Sequence, residues 1–252
     1  MKNLPKTIAE TSLLVKQASE FLKNPIEEYS DGENPFTNID ILISEFLTES
    51  LKKIIDVNVL SEEEASSFTK PDDYFWLIDP VDGTMNLISG SPDIAISVAL
   101  VDKEFNAIIS VVYLPFYDEL FTAIKNEGAY LNGKILTRAN SKLNIVAYGL
   151  PGDAPKRKDN ITKALALLIE NNYILRQSGS AVVDICYVAK GTWRAFFEEG
   201  LYVWDVAAAN LIVQESGCRS FTSLPDKEFK CNYVTGEQVS VLNEIKRFIE
   251  RS

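Results

Sequence analysis

Trp76-Leu77-Ile78-Asp79-Pro80-Val81-Asp82-Gly83-Thr84-Met85-Asn86 is the stretch on which the reading of this chain turns. An apolar run ends in two carboxylates three positions apart, with a proline between them and Gly-Thr directly after. Tyr74 to Ile78 is nearly all apolar and reads as a buried strand. Asp79 and Asp82 are expected just past its end, with Pro80 holding the turn and Gly83 relaxing the backbone where a helix begins. Carboxylates gathered this closely repel each other unless a cation neutralises them. Oxygen-only donors favour Mg²⁺ or Mn²⁺, and free N–H groups at Gly83 and Thr84 would seat a phosphate at the helix start. The same residues also suit a solvated Asx-type turn, so the segment has to be weighed with the rest of the chain.

Bulk properties narrow the choices. A chain of 252 residues, 46% apolar and 24% charged, can bury a real core as one large domain or two intimate lobes. Its net charge of -11 argues against nucleic acid as a partner, because phosphate backbones want a basic surface. A small phosphorylated substrate stays open, since bound divalent cations reverse the field of an acidic pocket. The absence of histidine removes zinc-hydrolase sites and Ser-His-Asp triads. Chemistry is left to carboxylates, hydroxyls, amines or metal-bound water. Cys186, Cys218 and Cys231 are odd in number and lack CxxC spacing, which reads as buried thiols in a reducing compartment. The start at Met1 runs into an amphipathic pattern, and no apolar run approaches the ~18 residues of a membrane span. A soluble, cytoplasmic protein without a membrane partner is expected.

Helical periodicity covers residues 7 to 23 and 39 to 54, with Asp31 to Pro35 as a turn between them. Val57 to Ser61 is a short apolar piece. Ile94–Val101 and Ala107–Tyr113 read as a hairpin, followed by short strands at Glu119–Ile124 and Gly128–Leu131 and a turn at Asn132-Gly133. Helices on a mostly antiparallel sheet are therefore expected for residues 1–140. From 141 to 252 the pattern alternates: strands at Asn144–Tyr148, Tyr173–Arg176 and Trp193–Glu198, helices at Asn160–Asn171, Ala181–Ala189 and Val206–Glu215, then a tail strand and helix. That is an α/β rhythm.

Three further features accompany the central acids. Glu62 follows the apolar Val57–Leu60 piece and is a reasonable third ligand, though Glu62, Glu63 and Glu64 also read as a solvated run. Asp205 precedes Val206-Ala207-Ala208-Ala209, as a helix N-cap or first-turn acid beside a helix of small residues. Gly179-Ser180-Ala181 reads as a tight turn opening another helix whose N–H groups can cover a ligand.

With these pieces in order, the chain resembles the inositol monophosphatase family within the lithium-sensitive, Mg²⁺-dependent sugar and nucleotide phosphatases. The resemblance rests on Glu62-Glu63, Asp79 to Asn86, Gly179-Ser180-Ala181 and Trp204-Asp205-Val206-Ala207-Ala208, supported by Pro115 to Ala123, Gly128 to Gly133 and Gly217. It spans nearly the whole chain. It implies an α+β or α/β fold of alternating αβαβα layers and a metal-assisted phosphomonoesterase, often a homodimer. It also implies two or three Mg²⁺ ions. Glu62, Asp79 and the Val81 carbonyl would hold the first, Asp79, Asp82 and Asp205 the second, and Glu62 would share in a third. Thr84 would orient the attacking water, and Gly83 and Thr84 would hold phosphate oxygens. Gly179, Ser180 and Ala181 would face the substrate, while Glu198, seven residues before Asp205, would bind sugar hydroxyls. The implied reaction is direct attack of metal-activated water on inositol monophosphate or a related sugar or polyol phosphate.

Two departures stand out. In the segment Asn34-Pro35-Phe36-Thr37-Asn38-Ile39-Asp40, Asn34 stands where the family carries an aspartate that supports Thr84 and the water. An amide accepts a hydrogen bond but brings no charge, so weaker activity or a higher Mg²⁺ requirement is expected. Arg194 replaces a customary aspartate and reads as a surface residue or as a contact for a second anionic group. Asn86 favours the sugar-phosphate branch. The alternatives are a 3'(2'),5'-bisphosphate nucleotidase, a fructose-1,6-bisphosphatase, or a weakly active regulatory pseudo-phosphatase, for which Asn34 speaks.

Overall fold

The computed structural model describes residues 3–30, 35–68, 71, 73–139, 143–150, 154–223, 225–227, 229–237, 243 and 246. Asn34 and the rest of 31–34 lie outside them, as does most of the expected tail helix.

Helix α1 spans Leu4–Ala18, and a 3-10 turn over Ser19–Lys23 follows it. The helix starts earlier than its apolar periodicity because the Asn3 side chain caps it, accepting from the Lys6 N–H, with Pro5 in the first turn. A short ribbon, β1 (Glu28–Ser30) and β2 (Pro35–Thr37), precedes α2 (Asn38–Ile54). Then come β3 (Val59–Ser61), β4 (Phe75–Asp82), α3 (Thr84–Ser89), β5 (Ala95–Val101), β6 (Ala107–Leu114), β7 (Glu119–Ile124), β8 (Gly128–Leu131) and β9 (Lys134–Ile135). The second half holds β10 (Ile145–Tyr148), α4 (Ala154–Glu170), β11 (Ile174–Arg176), α5 (Ala181–Lys190), β12 (Ala195–Tyr202), α6 (Val203–Glu215), β13 (Arg219–Thr222) and β14 (Lys230–Gly236).

Strands β3 to β9 form one seven-stranded sheet in chain order, in which β3–β4 is parallel and the other pairs antiparallel. The second sheet has the order β11-β10-β12-β14-β13 and is mixed. Side-chain alternation explains the stacking. Trp76 and Ile78 of β4 pack with Val15, Ile43 and Leu47 of the first two helices. Phe75 and Leu77, pointing the other way, join Val182, Ile185, Ala208 and Ile212 of α5 and α6, and that cluster continues to Phe196 and Tyr233 of the second sheet. The far face of the second sheet, with Val146, Phe197 and Val234, is covered by Ala164 and Leu168 of α4. The layers therefore run α1/α2, sheet, α5/α6, sheet, α4: αβαβα. Helix α6 is buried nearly all round, which fits a helix pressed between two sheets and carrying no polar stripe. Burying each of these large side chains contributes ~1.5–3 kcal/mol before entropy is counted.

Two boundaries that position the site differ from the sequence reading. Strand β4 does not stop at Ile78 but continues to Asp82. Its register against β5 shifts between Asp79 (opposite Ser97) and Asp82 (opposite Ala95). This bulge takes in Pro80, which has no N–H to give to a ladder, and it swings both aspartates towards the sheet end. Likewise α6 begins at Val203 and so includes Trp204 and Asp205 in its first turn. Among the described residues no helix is long and apolar enough to cross a membrane. Cys186, Cys218 and Cys231 are buried free thiols.

Candidate active site

Three elements converge where the bulge of β4 meets the N-termini of α5 and α6. One carboxylate oxygen each of Asp79, Asp82 and Asp205 lies within 4.8 Å of the other two. Each arrives differently. Asp79 is carried by the bulge, 1% exposed, and neither of its oxygens has a hydrogen-bond partner. Asp82 is held firmly: its Oδ2 accepts from the Ser180 hydroxyl and, at 2.8 Å, from the Val182 N–H. Asp205 sits in the first turn of α6, its Oδ2 accepting from the Tyr202 N–H at 2.9 Å.

Burial pushes the carboxyls of Asp79, Asp205 and Glu62 well above the ordinary range, and their mutual repulsion pushes the same way. Asp82 is raised only to about 6, because burial is opposed by the bonds from Ser180, Val182 and Ala181. Glu62 stands close enough to repel Asp79 and Asp205, yet outside the tight trio. A buried carboxylate with two orphaned oxygens is costly unless a cation completes it. The all-oxygen donor set fits Mg²⁺ or Mn²⁺.

The next turn is tightly specified. Gly83 takes φ +94°, and a Cβ there would come within 2.8 Å of the Asp93 carbonyl and 3.2 Å of the Ser180 Cβ. No L side chain fits. Thr84 follows, its hydroxyl 3.1 Å from Asp40 Oδ1 and 3.1 Å from the Val81 carbonyl. Asn86 Nδ2 donates to the Asp93 carbonyl at 2.7 Å and the Ser178 carbonyl at 3.0 Å, latching α3 to the turn before α5. Gly179 is compressed against this amide: a Cβ would lie 2.9 Å from Asn86 Oδ1.

Beside the trio a cavity of about 210 Å³ is lined by Asp82, Asp205, Gly149, Gly179, Ser180, Ala181, Asp184 and Glu198, among others. Glu198 is raised to about 8, first by burial and then by Asp82 and Asp184. Gly149 makes room for it, since a Cβ there would fall 1.7 Å from Glu198 Oε2. Asp184, 1% exposed, is bonded to Ser178 and has one oxygen without a partner.

The structure thus brings Asp79, Asp82, Asp205, Gly83 and Thr84 to one place, with Ser180, Ala181, Gly179 and Glu198 on the adjoining cavity. The N–H of Val182 at the start of α5 is taken by Asp82 of the facing strand. Arg194 binds the Leu143 carbonyl and pairs with Glu237, so it does not line the cavity. Asp40, Asn86, Gly149 and Asp184 were not assigned site positions from sequence. Thr37-x-x-Asp40 carried the signal of a capping box, and Asp184 that of an acid inside an apolar helix. Gly149 carried none.

An αβαβα sandwich with an acidic, oxygen-only centre at a strand bulge defines a narrow class of proteins. Residues 5–241 match the inositol monophosphatase family, and the chain belongs to it. It is 37% identical over 201 residues to "Nus factor SuhB" of Haemophilus influenzae, covering 77% of this chain and 74% of that one. It is 34% identical over 234 residues to "Fructose-1,6-bisphosphatase/inositol-1-monophosphatase" of Aquifex aeolicus, covering 86% of each. A solved IMPase/NADP phosphatase, complexed with Mg²⁺ and phosphate, shares the fold with a TM-score of 0.78 at 21% identity, over 96% of this chain and 94% of that chain.

Proposed function

We propose that this chain is a Mg²⁺-dependent phosphomonoesterase acting on inositol monophosphate or a related sugar or polyol phosphate, with lobes at 1–140 and 141–252 building the site between them. The observation that carries the reading is Asp79, buried with both oxygens unpartnered beside Asp82 and Asp205. Asp79, Asp82 and Asp205, with Glu62 and the Val81 carbonyl at the margin, would hold two or three ions. That carbonyl accepts one bond from Thr84 and keeps a second lone pair. When bound, Mg²⁺ acidifies a coordinated water and draws charge from the phosphoryl and leaving oxygens.

The chain's own groups do the rest. Gly83 and Thr84 present N–H groups to phosphate oxygens where no side chain intrudes, and the Thr84 hydroxyl orients the water. Glu198 and the wall at Gly179, Ser180 and Ala181 receive the alcohol. None of the described residues lining the cavity is cationic, so a second phosphate finds no counter-charge there. That favours a monophosphate over a bisphosphate. The fold neighbour solved with Mg²⁺ and phosphate and the phosphatase name of the Aquifex aeolicus relative support the same direction.

The test is inorganic phosphate release from inositol-1-phosphate, glycerol-2-phosphate, fructose-1,6-bisphosphate and adenosine-3',5'-bisphosphate, with and without Mg²⁺. Mg²⁺-dependent turnover of the monophosphates, at least tenfold above the bisphosphates, is the expected result. A second reading has the chain acting chiefly as its relatives named Nus factor SuhB are named, with slow turnover; the 37% identity to that protein favours it. Mg²⁺ binding without phosphate release from any ester would replace the first reading by the second.

A further inference from the structure

We propose that Asp184 is a specificity-determining residue which, with Glu198, selects an alcohol carrying a protonated amine, so that the preferred substrate is the phosphate ester of an amino sugar or amino alcohol; this rests on the phosphatase reading above and narrows its alcohol. A second orphaned acid, away from the metal trio, carries it. Asp184 sits in the first turn of α5, 1% exposed, and lines the cavity. Ser178 bonds to its carboxylate, yet Oδ1 has no partner. A buried acceptor left open at a cavity wall is costly unless something in the cavity donates to it.

Glu198 enters the same cavity from β12, and its carboxylate is near enough to Asp184 for the two charges to repel. Neither belongs to the trio of Asp79, Asp82 and Asp205, so ions held by the trio leave this second pair without a counter-charge of its own. The next residue of β12 shows the contrast: Glu199, 4% exposed, meets Arg157 at 3.2 Å. No lysine or arginine is among the described residues lining the cavity. The counter-charge is therefore left to the ligand. A hydroxyl has one hydrogen and serves one carboxylate at a time, whereas an ammonium has three N–H donors and a full charge. It can bond Asp184 Oδ1 and Glu198 together, through charge-assisted bonds roughly twice as strong as neutral ones. The carbon frame of the alcohol finds Leu150 and Leu201 in the same wall.

The test sets each amine ester against its hydroxyl counterpart, in Mg²⁺ at neutral pH: glucosamine-6-phosphate against glucose-6-phosphate, and phosphoethanolamine against 2-hydroxyethyl phosphate. In at least one pair the amine should have a kcat/KM higher by about ten- to a hundredfold, the effect of hydrogen bonds between charged groups, carried mainly by KM. Asp184→Asn keeps the size of the side chain and an oxygen for Ser178 but removes the charge. The preference should then fall to within about threefold, as charge-assisted bonds become ordinary ones. A merely structural role would lower both members of a pair alike and leave their ratio unchanged. If Asp184→Asn does not fold, Glu198→Gln takes its place, with the same collapse expected. No preference for the amine in either pair, or a preference that survives the substitution, overturns the proposal. If wild type releases phosphate from no ester, the phosphatase reading fails and calorimetry decides on the two acids. In saturating Mg²⁺, glucosamine should bind wild type at least about tenfold more tightly than glucose and lose that advantage in Asp184→Asn; equal binding of the two by wild type overturns the proposal.

Discussion

The two sides of the candidate site are built by opposite means. The side at Asp79–Asn86 is one continuous segment, and its strand bulge, left-handed glycine and short helix bring carboxylates and N–H groups together from neighbouring positions. The side at Gly149, Ser180, Asp184 and Glu198 is assembled from the end of β10, the middle of β12 and the start of α5, far apart in the chain. On the first side a buried carboxylate is left unpaired, as a cation site requires. On the second, acids line a cavity of about 210 Å³ with one glycine making the space. On the proposed reading, phosphate chemistry would depend on local geometry that few substitutions tolerate. Recognition of the alcohol would depend on the fit between distant pieces, which can vary without touching the chemistry.

Substitutions should separate the two sides. Asp79→Asn should lower Mg²⁺-dependent phosphate release by about a thousandfold, the upper range for losing one strong electrostatic contributor. The same change removes an unpaired buried charge, so the metal-free protein should melt higher, at about 2–4 °C for each kcal/mol gained. Retained activity would remove Asp79 from the centre. Gly149→Ala should act on the other side only, displacing Glu198 from a position 1.7 Å from the new Cβ. KM for inositol-1-phosphate should rise by up to about tenfold, the effect of roughly one lost hydrogen bond, while kcat for p-nitrophenyl phosphate changes little. Equal losses on both substrates would show that the two sides are not separable.

Asn86→Ala probes the latch between the sides. It strands the carbonyls of Asp93 and Ser178, each now bonded by Nδ2, at a cost of about 1–3 kcal/mol. Calorimetry should show Tm lower by several degrees, about 2–4 °C per kcal/mol at this size. An unchanged Tm would mean that the two turns hold without it.

How much could be read in advance follows the same division. That Asp79, Asp82, Gly83 and Thr84 gather in one place was legible because they stand in one short segment, although the same letters also suit a solvated turn. The αβαβα layering was implied by the family resemblance, while the residues alone gave helices on a mostly antiparallel sheet and an α/β second half. The bulge was not: Pro80 reads equally as a turn, and only the pairing with β5 decides that the strand runs on to Asp82. Asp40 was hidden in a capping box that accounts for it without any role at Thr84. Gly149 was hidden because a glycine at a strand end says nothing about a glutamate 49 residues further on.

The smallest effect, and the most direct test of the unpaired acids, lies in the pH dependence of melting. Burial and mutual repulsion raise Asp79, Asp205 and Glu62 well above the ordinary carboxyl range, and Asp82 to about 6. The folded metal-free protein therefore binds more protons than the unfolded chain, whose carboxyls titrate near ~4. Stability from this cluster is complete below about pH 4 and is lost as pH rises through 6 and beyond. On the proposed reading, Mg²⁺ would bind the ionised acids and offset the loss by mass action. In scanning fluorimetry, Mg²⁺ should move Tm little at pH 5 and by a few degrees at pH 8, about 2–4 °C per kcal/mol of binding free energy. Asp82→Asn should shrink the difference between the two pH values. An equal Mg²⁺ shift at both would mean that the ion binds elsewhere, and the contrast between an unpaired Asp79 and an Asp82 held through its Oδ2 would lose its meaning.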